Sequence, residues 1–209
     1  MALLYKLDSR RRTFAELWRI HRPRVGAFLA AASRKLLGIP QRCTFGIRRP
    51  EELHRYEPFE VPRAVRERLA NTVAACADLG LAFQFFASVD ATVGTPVKAY
   101  TAAMLAADGL TWATAIAVLV RRGNRERARP ALFTCFSLLP DGRYVVTSDQ
   151  PWKVEPHPGD LREHLSGAPP AVAARHSERI GEPGLRPVVV RADELAGVIL
   201  GREQRHVDY

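Results

Sequence analysis

The chain has 209 residues and a mass of 23.3 kDa, with 47% hydrophobic and 25% charged side chains and a formal net charge of +9. A chain this long buries about 70% of the surface its unfolded form exposes, so it needs no disulfide or metal staple. These values exclude a wholly disordered chain, a collagen, a disulfide scaffold and a polytopic membrane protein.

The charge is unevenly placed. Residues 1–63 carry 14 basic and 6 acidic side chains, net +8, whereas residues 64–209 carry 17 and 16, net +1. Twenty-seven of the 31 basic residues are Arg, beside 30 Ala, a pairing that reflects GC-rich coding as much as function. A polyanionic or anionic-membrane partner is therefore expected at the N-terminal segment alone, and nucleic acid is not expected.

In chain order, the first element is a basic amphipathic arm over 1–40. Phe14, Leu17, Trp18, His21, Val25, Phe28, Leu29, Ala32 and Leu36 keep to one helical stripe, and Arg11, Arg12, Arg19, Arg22, Arg34 and Lys35 fall off it. Pro23 divides the run into helices near 11–22 and 24–37. The uncharged stretch over 25–33 is too short for a membrane span or an export core. The stripe either packs on the protein's own body or a partner subunit, or lies on an anionic membrane. Arg11, Arg12, Trp18, Arg19 and Phe28 are the docking residues under the second or the partner-binding reading.

Residues 41–61 read as a linker broken by Gly46, Pro50 and Pro58, with one or two helical turns after Pro50. The body, 62–209, opens at Pro62 with a helix over 62–78. Val65, Leu69, Val73 and Cys76 form its buried stripe and Gly80 stops it. Strands are expected over 81–89, 97–107, 111–121, 131–139 and 144–147. Asp108-Gly109 and Asp141-Gly142 mark hairpin turns, and an Arg-rich loop spans 122–129. With no helix between these strands, the sheet should be an antiparallel meander. Ala113, Ala115 and Ala117 make one face of the third strand small. A helix can approach such a face closely, or it can leave a hollow for an apolar ligand.

After a Pro-rich loop comes a helix over 170–180 with Val172, Ala173, His176 and Ile180 inward. A further strand at 187–190 and a last helix capped by Asp193 complete the α+β body. The expected fold is thus an antiparallel meander of four to five strands, packed by a preceding helix and by C-terminal helices.

No phosphate-loop, dinucleotide, nucleophile-elbow or metalloprotease spacing occurs, so no cofactor or metal is expected. Cys43, Cys76 and Cys135 are odd in number and far apart, and Cys76 and Cys135 fall in apolar elements, as free thiols in a reducing, cytoplasmic compartment would. Asp149, Trp152, His157 and His176 are the candidate binding residues, because 149–157 is a loop following a strand and His176 lies on a helix facing the sheet. The function expected is non-enzymatic binding or scaffolding of an unknown ligand, docked to a partner or an anionic membrane, peripherally, by residues 1–40. The alternative is a small hydrolase or other enzyme with its pocket on the Ala-rich face and Asp149, His157 or His176 as acid or base. The sequence leaves the oligomeric state open.

The segments Y-T-A-A-M-L-A-A-D-G-L-T-W-A-T-A-I-A-V-L-V-R-R-G (100–123), L-F-T-C-F-S-L-L-P-D-G-R-Y-V-V-T-S (132–148) and H-L-S-G-A-P-P-A-V-A-A-R-H-S-E-R-I (164–180) resemble a group of bacterial α+β proteins with no assigned function. The resemblance covers about 60–206. It implies a shared fold and transfers no catalytic residue.

Overall fold

The computed structural model describes residues 4–5, 14–21, 25–38, 46–48, 51–88, 92–93, 97–122, 125–149 and 159–208. The first two helices are α1 (Phe14–His21) and α2 (Val25–Leu36). They pack on each other, with Trp18 edge-on to Phe28 at 5.0 Å, and Leu17 and Ala31 are buried.

The body is a seven-stranded sheet between helical layers. Its strands in chain order are β3 (His54–Tyr56), β4 (Leu81–Ser88), β6 (Val97–Ala106), β7 (Trp112–Arg122), β8 (Arg125–Leu138), β9 (Tyr144–Ser148) and β10 (Leu161–His164). Across the sheet the order is β10-β9-β8-β7-β6-β4-β3. Three short strands, β1 (Leu4–Tyr5), β2 (Gly46–Arg48) and β5 (Thr92–Val93), form a second sheet in the order β1-β2-β5.

The expected five-strand meander is present as β4, β6, β7, β8 and β9, but the sheet is larger than expected at both edges. β3 pairs antiparallel with β4, where a linker with helical turns was expected. β10 pairs parallel with β9, Leu161 opposite Val145 and His164 opposite Ser148, so the sheet is mixed. The twelve residues between these two strands are long enough for a parallel return. The Arg-rich loop is also shorter than expected. β7 runs to Arg122, β8 starts at Arg125, and Arg121 pairs with Glu126.

Both Asp-Gly hairpins form. Gly109 and Gly142 take φ of +70° and +80°, and the Asp108 and Asp141 carboxylates accept from the backbone two residues on. Residues 187–190 are extended but form no strand. Val188 N donates to Leu138 O and Val190 N to Gly109 O, which ties this segment across two strand ends. The segment lies so close that a Cβ at Gly109 would stand 2.7 Å from Val190 O.

One face of the sheet carries α3 (Arg63–Ala77) and α4 (Pro169–Ile180). Val65, Leu69 and Cys76 of α3 meet Ala113, Ala115 and Ala117 of β7 in one core cluster. Alanines let the helix approach, and burying a residue such as Leu69 contributes about 2 kcal/mol. The other face carries α5 (Leu195–Asp208). Leu195 and Ile199 cover Trp112, Phe136 and Tyr144, with the Arg202 guanidinium 4.2 Å over the Phe136 ring. The Asp193 carboxylate, just ahead of α5, is held by Arg191 at 2.7 and 3.1 Å.

Candidate functional site

Two polar places lie on the α3/α4 face, and the sequence candidates divide between them. The first is an open groove of about 330 Å³ between α3, the sheet and the start of α4. Arg68, Asn71 and Thr72 of α3 form one wall. Ala115 and Ile116 of β7 and Leu132 and Phe133 of β8 form the floor, with Asp149 and Pro169 at the far side.

Asp149 is positioned by strand pairing. Its N–H donates to Phe133 O at 3.1 Å, and its Oδ1 accepts from Phe133 N at 2.9 Å, so it continues the β8–β9 ladder with its own carboxylate. Partial burial raises its pKa above the ordinary carboxylate value, and the Phe133 N–H and the His164 charge oppose the rise in part. Among the described residues, no cation is ion-paired with Asp149 and no carboxylate with Arg68.

The second place surrounds His176, which is 0% exposed. Its Nε2 lies 3.0 Å from Ser137 Oγ of β8 and its Nδ1 lies 3.0 Å from Thr147 Oγ1 of β9. Ser137 donates its own proton to Leu110 O at 2.6 Å, so its oxygen accepts from His176, which fixes the Nε2–H tautomer. Nδ1 then accepts from Thr147, whose oxygen also accepts from Arg179 Nη1 at 2.9 Å. Arg179 reaches Val146 O and Leu161 O as well, and its Nε lies 3.1 Å from Glu163, which Arg175 also grips at 2.9 and 3.2 Å. Burial, helped by the Arg179 charge, pushes the His176 pKa down to about 3. The imidazole is neutral and enclosed, and its serine neighbour spends its proton on a carbonyl. That is a structural network and not an activated nucleophile.

The structure therefore separates Asp149 from His176: the groove lining includes the first and not the second. His157 and Trp152 lie outside the described residues, as do Arg11 and Arg12. Trp18 is exposed on α1, and Phe28 is half-buried against it on α2 beside Arg19's helix. Among the described residues, no group of three or more His, Cys, Asp or Glu is placed to hold a metal ion. No helix among them is long and apolar enough to cross a membrane. Cys76 and Cys135 are buried free thiols; burial raises the pKa of Cys76 to about 11 and that of Cys135 well above its usual value.

The sequence did not mark Arg68, Asn71 and Thr72. Arg68 and Thr72 stand four apart, flanking the buried Leu69, and that spacing was the available signal. Comparison with protein-family models, curated proteins and solved structures finds no match to this chain.

Proposed function

We propose that the protein is a non-enzymatic binding or scaffold protein. Its body takes a small ligand in the groove between α3 and α4, and its basic N-terminal helices dock it to a protein partner or an anionic membrane surface. The observation that carries this reading is the groove itself. It joins an apolar floor to two opposite charges, Arg68 and Asp149, neither tied in an ion pair to the other. Convergent polar groups over an apolar floor are the usual make-up of a small-molecule site. The raised Asp149 pKa supports the same reading, because a partly desolvated carboxylate gains from a ligand donor. The inert thiols fit a reducing, cytoplasmic setting.

The enzyme reading draws support from Ala115, which places the groove on the Ala-rich face. Of its three acid or base candidates, Asp149 lines the groove, His176 is enclosed and His157 lies outside the described residues. The groove is tested with anilinonaphthalene sulfonate, a probe with apolar rings and one anion. The protein should bind it. Thr72→Phe, which fills the groove from the half-buried helix side, should weaken binding at least about tenfold at an unchanged Tm. Absence of dye binding by the unmodified chain, or equal binding by the variant, rejects the groove.

A further inference from the structure

We infer that the α1–α2 pair is an interfacial anchor whose occupant is an anionic lipid surface. The inference rests on the docking role proposed above for these helices and is independent of the groove. A single amphipathic stripe had two possible uses, internal packing or docking. The structure divides it into two rows. Leu17 and Ala31 are buried, and Phe28 is half-buried with its ring edge-on to Trp18, so this row is already covered. A second row remains exposed. On α2 it is Val25, Leu29 and Leu36, 53%, 56% and 76% exposed, at spacings of four and seven that hold them on one face, and Leu37 follows. On α1 it is Phe14 and Trp18, four apart.

Charge decides the occupant. Residues 1–40 carry nine basic side chains and only Asp8 and Glu16 as acids. Lys35 lies 5.7 Å over the Phe14 ring, so cation and apolar surface adjoin. Exposed Leu, Val, Phe and Trp on a segment this rich in Arg and Lys match a bilayer interface, which offers an acyl boundary beneath anionic headgroups. The helices have 8 and 12 residues, about 12 and 18 Å at 1.5 Å per residue, and so would lie in the headgroup plane without spanning. The surface is recognised by charge and apolar depth, with no headgroup-specific pocket required.

The test is flotation of the full-length chain with vesicles containing about 30 mol% phosphatidylserine in phosphatidylcholine, against phosphatidylcholine alone. The expected partition is at least about tenfold higher on the anionic vesicles and falls as salt is raised. Leu29→Asp with Leu36→Asp should lower it at least about tenfold, and Arg11→Gln with Arg12→Gln about fivefold. Lipids brominated on their acyl chains should quench fluorescence in the unmodified chain and much less in Trp18→Phe. Each variant is checked for retained anilinonaphthalene sulfonate binding, so loss of the fold is separated from loss of the anchor. No flotation, equal flotation on both vesicles, or flotation unchanged by the Leu pair overturns the inference. A chain that floats but binds no dye keeps the anchor and rejects the groove.

Discussion

The His176 cluster and the Asp149 groove sit on the same face of the sheet and share β8, and they differ in everything that matters chemically. Thr147 and Asp149 are two residues apart along β9 and its extension, so their side chains point to one side. Thr147 lies beneath α4, where the imidazole, three backbone carbonyls, two hydroxyls and the Arg179 guanidinium satisfy one another. Asp149 lies at the edge of the space between α3 and α4, with one oxygen bound to Phe133 N. In both, burial disfavours charge. It lowers the histidine and raises the aspartate. The lesson is that residue type did not separate a structural group from a candidate binding group; enclosure did.

The largest effect that could break this contrast is pH. The folded state holds His176 at about 3, against an ordinary value of 6.5. Unfolded chains therefore take up a proton that the native fold refuses. The stabilisation is complete above about 6.5 and is lost as pH falls through that window towards 3, with a ceiling of about 5 kcal/mol. Carboxylates such as Glu163, lowered by Arg175, lose stability in acid too. The measurement is accordingly a difference: urea denaturation of the protein and of His176→Gln from pH 7 to 4. The gap between the two should narrow as pH falls. A constant gap would mean the imidazole titrates freely and is not sealed.

Next in size is His176→Ala at neutral pH. It leaves a cavity and strips a partner from both Ser137 and Thr147, at a cost of about 3 kcal/mol in chemical denaturation. Gly109→Ala provides a steric reference on the same molecule, at the turn before Leu110, whose carbonyl accepts from Ser137. Its φ of +70° and the 2.7 Å approach of Val190 O predict a loss of about 2 kcal/mol with no change in the pH dependence.

Much of this arrangement was legible in the sequence, for identifiable reasons. The Asp108-Gly109 and Asp141-Gly142 turns, the Val65, Leu69, Cys76 stripe, and the Pro and Gly that bound α4 each carry a local signal, and each element formed. The edges of the sheet carried none. β3 is His-Arg-Tyr and β10 is Leu-Arg-Glu-His, charged segments held by backbone pairing, as edge strands commonly are. The hairpin tip from 121 to 127 was hidden the same way, since its arginines read as a loop. Asp149 was visible because it follows a strand, and His176 because it sits on an apolar helical stripe. Ser137 and Thr147 were invisible as partners, because their pairing with His176 spans 39 and 29 residues of chain. Arg68 looked like any solvated helix residue.

The smallest expected effect tests the other half of the contrast. Arg68 is exposed and Asp149 is half-buried, so neither should hold the fold together. Arg68→Ala should leave stability within about 0.5 kcal/mol of the unmodified chain. Asp149→Asn keeps an oxygen to accept from Phe133 N and removes a charge that burial disfavours. The sign follows from the raised pKa: the protonated form is the favoured one, so the carboxylate's penalty is absent well below its unfolded pKa and grows as pH rises through the folded one. At pH 7 the variant should therefore match the unmodified chain or exceed it by no more than about 0.5 kcal/mol, since solvent screens a half-exposed group. The ligand probe should respond in opposite directions. Anilinonaphthalene sulfonate, an anion, should bind more weakly to Arg68→Ala and at least as well to Asp149→Asn. A destabilised Asp149→Asn would place Asp149 with His176 among the structural groups and leave the groove without its second charge.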